Sequence, residues 1–267
     1  LENNRQFIVL LETGKKVSHS HSFYDSIYKV MNNYVQMRVQ LMDSYFFEEE
    51  LSLLSQEIIS YLQSLIYERE EEVKEIESYA EQHHIPIMEL SGIEAMLQIL
   101  KLAQPAKILE IGTAIGYSAI RMAKALPETK IVTIERDEER FERALFYIEK
   151  TNTSRQIEAL FGDALELFHV VEQKGPFDAI FIDAAKGQYE RFFTLYEPLL
   201  NKKGLIITDN VLFKGLVADV DKIENKRIRS LAKKIRTYND WLVNHPRYET
   251  VVFPVGDGIA ISRRRGE

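Results

Sequence analysis

Cysteine is absent from all 267 residues, which excludes disulfides, thiolate metal sites and cysteine nucleophiles. No apolar run approaches the ~20 residues that span a bilayer, so no membrane association is expected. The one early apolar stretch, FIVLL at 7–11, is short and follows no basic segment. It does not read as a signal peptide, and a cytoplasmic location is expected. No GKS or GKT follows a glycine-rich loop, which sets aside a phosphate-cradling P-loop. Positive charge is also scarce overall: the net charge of −7 argues against a generally basic nucleic-acid binder.

That scarcity is uneven. Residues 201–267 hold 14 Lys and Arg against 8 Asp and Glu, a balance of +6 that leaves −13 on residues 1–200. Over 48–81, 11 acids face 2 bases. Such asymmetry marks either a polyanion-binding face or a solvated helix surface, and charge alone leaves both open.

Residues 1–50 lack sustained periodicity and form an extension to which no role is assigned; Met31 and Met42 are possible internal starts. His19 and His21, in HSHS, read as tail residues rather than metal ligands. Residues 51–267 are expected to form one domain. Ile58, Ile59, Leu62, Leu65 and Ile66 share a helical face. A charged amphipathic helix follows, with Val73, Ile76, Tyr79 and Ala80 inward, and Pro86 ends it. Ser91 is a candidate cap for the next helix, which stops before Pro105.

Strands and helices then alternate. Short continuous apolar runs predict strands at 107–111, 130–135, 156–161, 178–183 and 204–209, each buried on both faces. Helices are expected near 116–126, 137–150, 164–173, 187–200 and 222–244. YETVVFPV and GIAISRR, joined around Gly256–Asp257–Gly258, read as an antiparallel hairpin. The fold class is α/β: a Rossmann-like, doubly wound, mostly parallel sheet with a C-terminal antiparallel hairpin and a helical N-terminal addition. Ligands bind such sheets at the carboxyl ends of the strands.

Those ends carry the informative residues. KILEIGTAIGYSA at 107–119 is a strand, an acid and a glycine turn that opens a helix. Gly112 and Gly116 let backbone approach a ligand closely. Glu110 would repel a pyrophosphate and suits an amino-bearing ligand better. Glu135, ending the second strand, suits a ribose diol, and Asp163, after the third, an adenine amine. The set fits S-adenosylmethionine. A dehydrogenase would share Glu135 but would not explain Glu110 or the acids that follow.

FIDAAKG at 181–187 and ITDN at 207–210 place Asp183, Asp209 and Asn210 at two further strand ends. Hard oxygen donors suit Mg²⁺, Mn²⁺ or Ca²⁺ rather than Zn²⁺. A substrate with two vicinal oxygens can chelate such an ion, which lowers the pKa of one hydroxyl and aligns it with the sulfonium methyl. Lys186, three residues past Asp183, is the candidate base or the charge that favours an ionised hydroxyl; an exposed loop lysine is its bland alternative.

EIGTAIGYSA, FIDAAK, TDN and NHPRYETVVFPVGDGIAISRR, in that order, resemble the motifs of the cation-dependent, S-adenosylmethionine-dependent O-methyltransferases of the catechol and caffeoyl-CoA type. The resemblance implies metal ligation by Asp183, Asp209 and Asn210, with Lys186 as base. It implies cofactor contacts from Met88, Glu110, Ser118, Glu135, Asp163, Ala164 and Asp183, and a homodimer. Ser118 opens a helix, where its hydroxyl and amide can meet a carboxylate. EQHHIPIME, ILEIGTAIGYSAIRMA, FIDAAKGQY, LYEPLL and ITDNVLFKGLVA are similar to the bacterial branch that methylates 5-hydroxyuridine at the tRNA wobble position.

The chemistry agrees with that branch. The 5-hydroxyl and 4-carbonyl of 5-hydroxyuridine form the same five-membered chelate as a catechol, and an anticodon-loop base can be splayed into a pocket. The segment 222–236 and Arg263–Arg265 are expected to meet phosphates and Lys214 to border the substrate mouth, while Tyr189 and Phe213 read equally as stacking or as packing residues. The acidic segment 48–81 should lie away from the RNA. The alternatives are the same chemistry on a small catechol or phenol, and a non-catalytic RNA- or cofactor-binding module.

Overall fold

The structure, a computed structural model, describes residues 56–266. The extension 1–50, with His19, His21, Met31 and Met42, lies outside the described residues. Among the described residues three helices come first: α1 (Gln56–Ser64), α2 (Glu71–Gln82) and α3 (Leu90–Ala103). The alternating part then runs β1 (Lys107–Ile111), α4 (Tyr117–Ala125), β2 (Lys130–Glu135), α5 (Glu138–Lys150), β3 (Ile157–Phe161), α6 (Phe168–Glu172), β4 (Phe177–Ile182), α7 (Tyr189–Tyr196), β5 (Leu200–Thr208) and α8 (Lys226–Val243). The hairpin β6 (Tyr248–Phe253) and β7 (Ile259–Arg264) closes the chain.

The seven strands form one sheet in the order β3-β2-β1-β4-β5-β7-β6. The first five are parallel, and β7 pairs antiparallel with β5 and β6. The order reverses beside β1, the crevice where such sheets take ligands. Alternate strand residues face two cores. Ile108, Ile131, Phe181 and Ile207 pack under α2, α3, α4 and α5, while Leu109, Val132, Ile180 and Ile206 pack under α6, α7 and α8. A fully buried Ile or Leu contributes roughly 1.5–3 kcal/mol. That explains why the strands read as unbroken apolar runs.

The N-terminal helices divide in role. Val73, Ile76 and Ala80 of α2 and Ile93, Met96, Leu97 and Leu100 of α3 are buried in the first core. Several acids of α2 and of the residues just before it are engaged in ion pairs, among them Glu75 with Lys150 and Glu70 with Lys124, both at 2.5 Å. The shared face expected of this first helix is not buried to match: Ile58 and Leu62 of α1 are 48% and 39% exposed, and Leu65 lies past its end.

Several boundaries differ from expectation for local reasons. Ser91 does not cap α3; the cap position is Glu89, with no side-chain cap bond, and Ser91 lies in the first turn. The helix expected from 164 begins at Phe168, because Asp163 Oδ1 accepts from Leu165 N at 2.9 Å and holds a turn there. α8 begins at Lys226, where Asn225 Oδ1 accepts from Arg227 N and Ile228 N. β5 begins at Leu200 rather than 204: its register with β4 shifts between Phe177 and Ala179, so the polar residues 201–203 are absorbed in an irregularity. Among the described residues no helix is long and apolar enough to cross a membrane.

Candidate active site

A cavity of about 740 Å³ lies at the carboxyl ends of β1, β2, β4 and β5. Its floor is the turn after β1. Gly112 has φ +98°, and a Cβ there would stand 2.2 Å from the Asp183 carbonyl oxygen, so only glycine fits. Gly116, φ +87°, caps α4.

Glu110 is fully buried beneath this turn and does not line the cavity. Ser118 Oγ donates to its Oε1 at 2.5 Å, and Thr133 and Thr113 hydroxyls donate to its Oε2 at 2.5 and 2.8 Å. Burial pushes its pKa up to about 7, against the pull of the three hydroxyls. The structure therefore places Glu110 behind Ser118 and Thr113, which do line the cavity.

The other cofactor candidates converge on the cavity wall. Met88, Gly112, Ser118, Glu135, Asp163, Ala164 and Asp183 all line it. Glu135 Oε2 accepts from Ala114 N at 2.8 Å, and its Oε1 from Arg136 N and Asp137 N at 2.8 and 2.9 Å. These bonds aim the carboxylate across the turn after β1. Two carboxylates set apart along the wall, with helix α4 opening at its floor, suit an elongated ligand that ends in an amino acid group.

Asp183, Asp209 and Asn210 meet at the other end. The ladder carries them there: Asp183 N donates to Ile111 O, and Asp209 N to Ile182 O. Burial pushes Asp183 up to about 6; Lys186 opposes the rise and Asp257 adds to it. Asp209, 2% exposed, is pushed up by burial and then by the charge of Asp183. Asn210 Nδ2 donates to Asp209 Oδ2 at 3.1 Å, and φ of +59° at Asn210 turns the chain there. Among the described residues no group of three or more His, Asp or Glu forms a metal cage. Two mutually repelling carboxylates with one amide oxygen nevertheless match a hard divalent cation, which would relieve that repulsion.

Lys186 sits in the one-turn helix 186–188 before α7, and its Nζ donates to Asn210 Oδ1. Burial lowers its pKa, while Asp183, Asp257 and Asp209 act the other way. Its Nζ lies 6.0 Å from the ring centre of Phe213, which also lines the cavity with Lys214.

Of the two readings of Tyr189, packing is the one the structure shows: it is 1% exposed, and its hydroxyl donates to the Asp209 carbonyl at 3.0 Å. Arg263–Arg265, expected to meet phosphates, lie away from the main cavity. β7 runs antiparallel to β5, so Arg263 pairs with Leu205 at the far end from Asp209, and Arg264 bonds Tyr248 and the Glu197 carbonyl.

The basic segment of α8 does reach the site. A second cavity, of about 620 Å³, is lined by Lys226, Arg229, Lys233 and Lys234 and shares Lys186 and Gly187 with the first. Sequence reading missed Glu89, Tyr117 and Asp257 on the main cavity wall. Asp257 was visible only as the middle of a hairpin turn, and nothing in one sequence says which strand ends that turn will face.

The O-methyltransferase family model matches residues 63–265. Caffeoyl-CoA O-methyltransferase 1 of Arabidopsis thaliana is 34% identical over 222 residues, covering 79% of this chain and 86% of that protein. A Staphylococcus aureus structure, solved as that of a candidate caffeoyl-CoA O-methyltransferase, is 35% identical with a TM-score of 0.71; the match covers 78% of this chain and 98% of that one. The O-methyltransferase TomG of Streptomyces achromogenes, solved with S-adenosylmethionine, shares the fold at 24% identity and a TM-score of 0.68, covering 82% and 99%.

Proposed function

The chain belongs to the S-adenosylmethionine-dependent O-methyltransferase family, and from that premise we propose a metal-dependent transfer to the 5-hydroxyl of 5-hydroxyuridine at the tRNA wobble position. The product is 5-methoxyuridine. The observation that carries the RNA reading is the basic cavity on α8, which opens onto the same Lys186 as the cofactor cavity. Phosphates flanking a splayed base would occupy it while the base enters the main cavity.

Asp183, Asp209 and Asn210 would hold Mg²⁺ or a similar ion, which lowers the pKa of a chelated hydroxyl. Lys186 Nζ, as the neutral amine, would then exchange Asn210 Oδ1 for that hydroxyl and take its proton. Its lowered pKa fits a base. The hydroxyl oxygen bonds to the methyl carbon as the carbon–sulfur bond breaks, and the electron pair of that bond stays on sulfur. Met88, Ser118, Glu135, Asp163 and Ala164 would hold the cofactor, which would supply the methyl group.

A second reading is favoured by the relatives, whose names specify caffeoyl-CoA: a phenolic acceptor with vicinal hydroxyls would chelate in the same way. A second copy of the chain is a further proposed partner, and light scattering decides it. The deciding assay is transfer of labelled methyl to hypomethylated tRNA with Mg²⁺ and with chelator, followed by nucleoside analysis. Metal-dependent label in 5-methoxyuridine supports the RNA reading. Label only in a catechol or caffeoyl thioester retains the chemistry and removes the RNA.

A further inference from the structure

One turn ties together two walls of the main cavity. It is the β6–β7 turn, Gly256–Asp257–Gly258. On one side it rests against α3: a Cβ at Gly256 would stand 3.2 Å from Gly92 Cα and 3.7 Å from Glu89 Cβ, next to the segment that carries Met88. On the other side it grips the segment after Asn210. Val211 N donates to Gly258 O at 3.0 Å, Leu212 N to Asp257 O at 2.9 Å, and Lys214 N to the Asp257 carboxylate. A Cβ at Gly258 would fall 2.3 Å from Leu212 Cγ, so the two strands of chain touch.

The gripped segment needs a hold. Asn210, Phe213 and Lys214 have φ of +59°, +48° and +53°, a left-handed region that side-chain-bearing residues keep only where their surroundings enforce it. Two of the three hydrogen bonds are main chain to main chain. Only the bond to Lys214 N depends on a side chain, and it acts at the residue next to Phe213, where the segment borders the cavity.

We propose that Asp257 is a positioning residue for the acceptor substrate: its carboxylate fixes the Phe213–Lys214 segment against the hairpin and so sets the substrate side of the cavity. The turn is the fixed point because it is backed by Gly92 of α3, and the segment is the part it holds. An amide oxygen accepts from a backbone N–H as a carboxylate does, so the role requires an acceptor and not a charge. The opposite possibility is concrete, since the charge of Asp257 also bears on Lys186, Asp183 and Asp209.

The inference rests on the reading of this cavity as a methyl-transfer site, and the test separates the two. The full chain is compared as wild type, Asp257→Asn and Asp257→Ala. Hydrogen exchange is followed over residues 211–216, S-adenosylmethionine binding by calorimetry, and the acceptor KM and kcat with whichever acceptor the wild type uses. Asp257→Asn is expected to keep native protection and an acceptor KM within about twofold. Asp257→Ala is expected to exchange faster over 211–216 and to raise acceptor KM about tenfold, with cofactor affinity unchanged.

Equal losses in the Asn and Ala variants would overturn the proposal in favour of a charge effect. Native exchange and KM in Asp257→Ala would overturn it outright, and so would a parallel loss of cofactor binding. If the wild type methylates neither tRNA nor a catechol, the functional reading fails, and the exchange comparison still decides whether Asp257 holds the segment.

Discussion

Lys186 Nζ donates a hydrogen bond to Oδ1 of Asn210, the same oxygen that a divalent cation at Asp183 and Asp209 would claim. On the proposed mechanism lysine and cation would be alternatives at that atom, and the lysine would be needed only once the acceptor hydroxyl is in place. Lys186→Met is expected to slow transfer by about 10²–10⁴-fold, the range for loss of a general base. Affinity for Mg²⁺ or Mn²⁺ should hold or rise, because a donor competing for Asn210 Oδ1 is gone. Calorimetric metal titration beside the assay checks this; metal affinity falling in step with activity would remove Lys186 as the base.

The Asp209 carboxylate lies beside Asp183 and accepts from Asn210, whose Nδ2 donates to its Oδ2 at 3.1 Å. Asp209→Ala should abolish transfer, by at least about 100-fold or roughly 2.7 kcal/mol of barrier. S-adenosylmethionine binding should largely survive. Loss of both in equal measure would sink its assignment as a metal ligand.

Glu110 carries a pH dependence of known sign. Its carboxyl is raised from 4.5 to about 7 in the folded chain, so between those values the folded state keeps a proton that the unfolded state has released. Stability from this group is highest below about pH 4.5, declines as pH rises to about 7, and is level beyond, a change on the order of 3 kcal/mol. Gln mimics the protonated form, its carbonyl toward Thr113 and Thr133 and its amide toward Ser118. In melting curves without cofactor, Glu110→Gln should gain on the wild type as pH moves from 5 to 7.5. A constant difference across that range would show that Glu110 is ionised in the fold.

Lys233 and Lys234 line the basic cavity, and Lys233 is held 3.2 Å from Asp221. Replacing both with Glu should weaken tRNA binding and flatten its dependence on salt. Turnover of a catechol surrogate should be unaffected. Filter binding at several salt concentrations measures this, and an unchanged affinity and slope would take that face out of the RNA model.

Much of the fold was legible because its cause is local. Continuous apolar runs such as KILEI and FIDAAKG's strand can only be buried on both faces, and glycines at 112 and 116 mark the turn where β1 gives way to α4. The irregular places were not legible. The bulge at 201–204 is imposed by the β4 partner, and the turn at 163–167 by one Asp163 hydrogen bond.

The site divides in the same way. Asp183, Asp209 and Asn210 could be named in advance, because parallel strands of one sheet deliver their last residues to one edge. Tyr189 and Arg263–Arg265 could not be placed, since side-chain direction on α7 and strand direction in β7 belong to packing and pairing.

The sequence by itself determined the strand order of chemistry: which acids stand at which strand ends, and hence acids for a nucleoside cofactor beside the oxygen donors Asp183, Asp209 and Asn210. Only the tertiary structure decided what lies between those ends. It turned Glu110 inward onto three hydroxyls, set Lys186 on Asn210, and brought Asp257 from the far end of the chain onto the segment after Asn210. The reason is physical: spacing along the chain fixes a residue's place on its own strand or helix, while the approach of two elements distant in sequence is set by how the whole core packs.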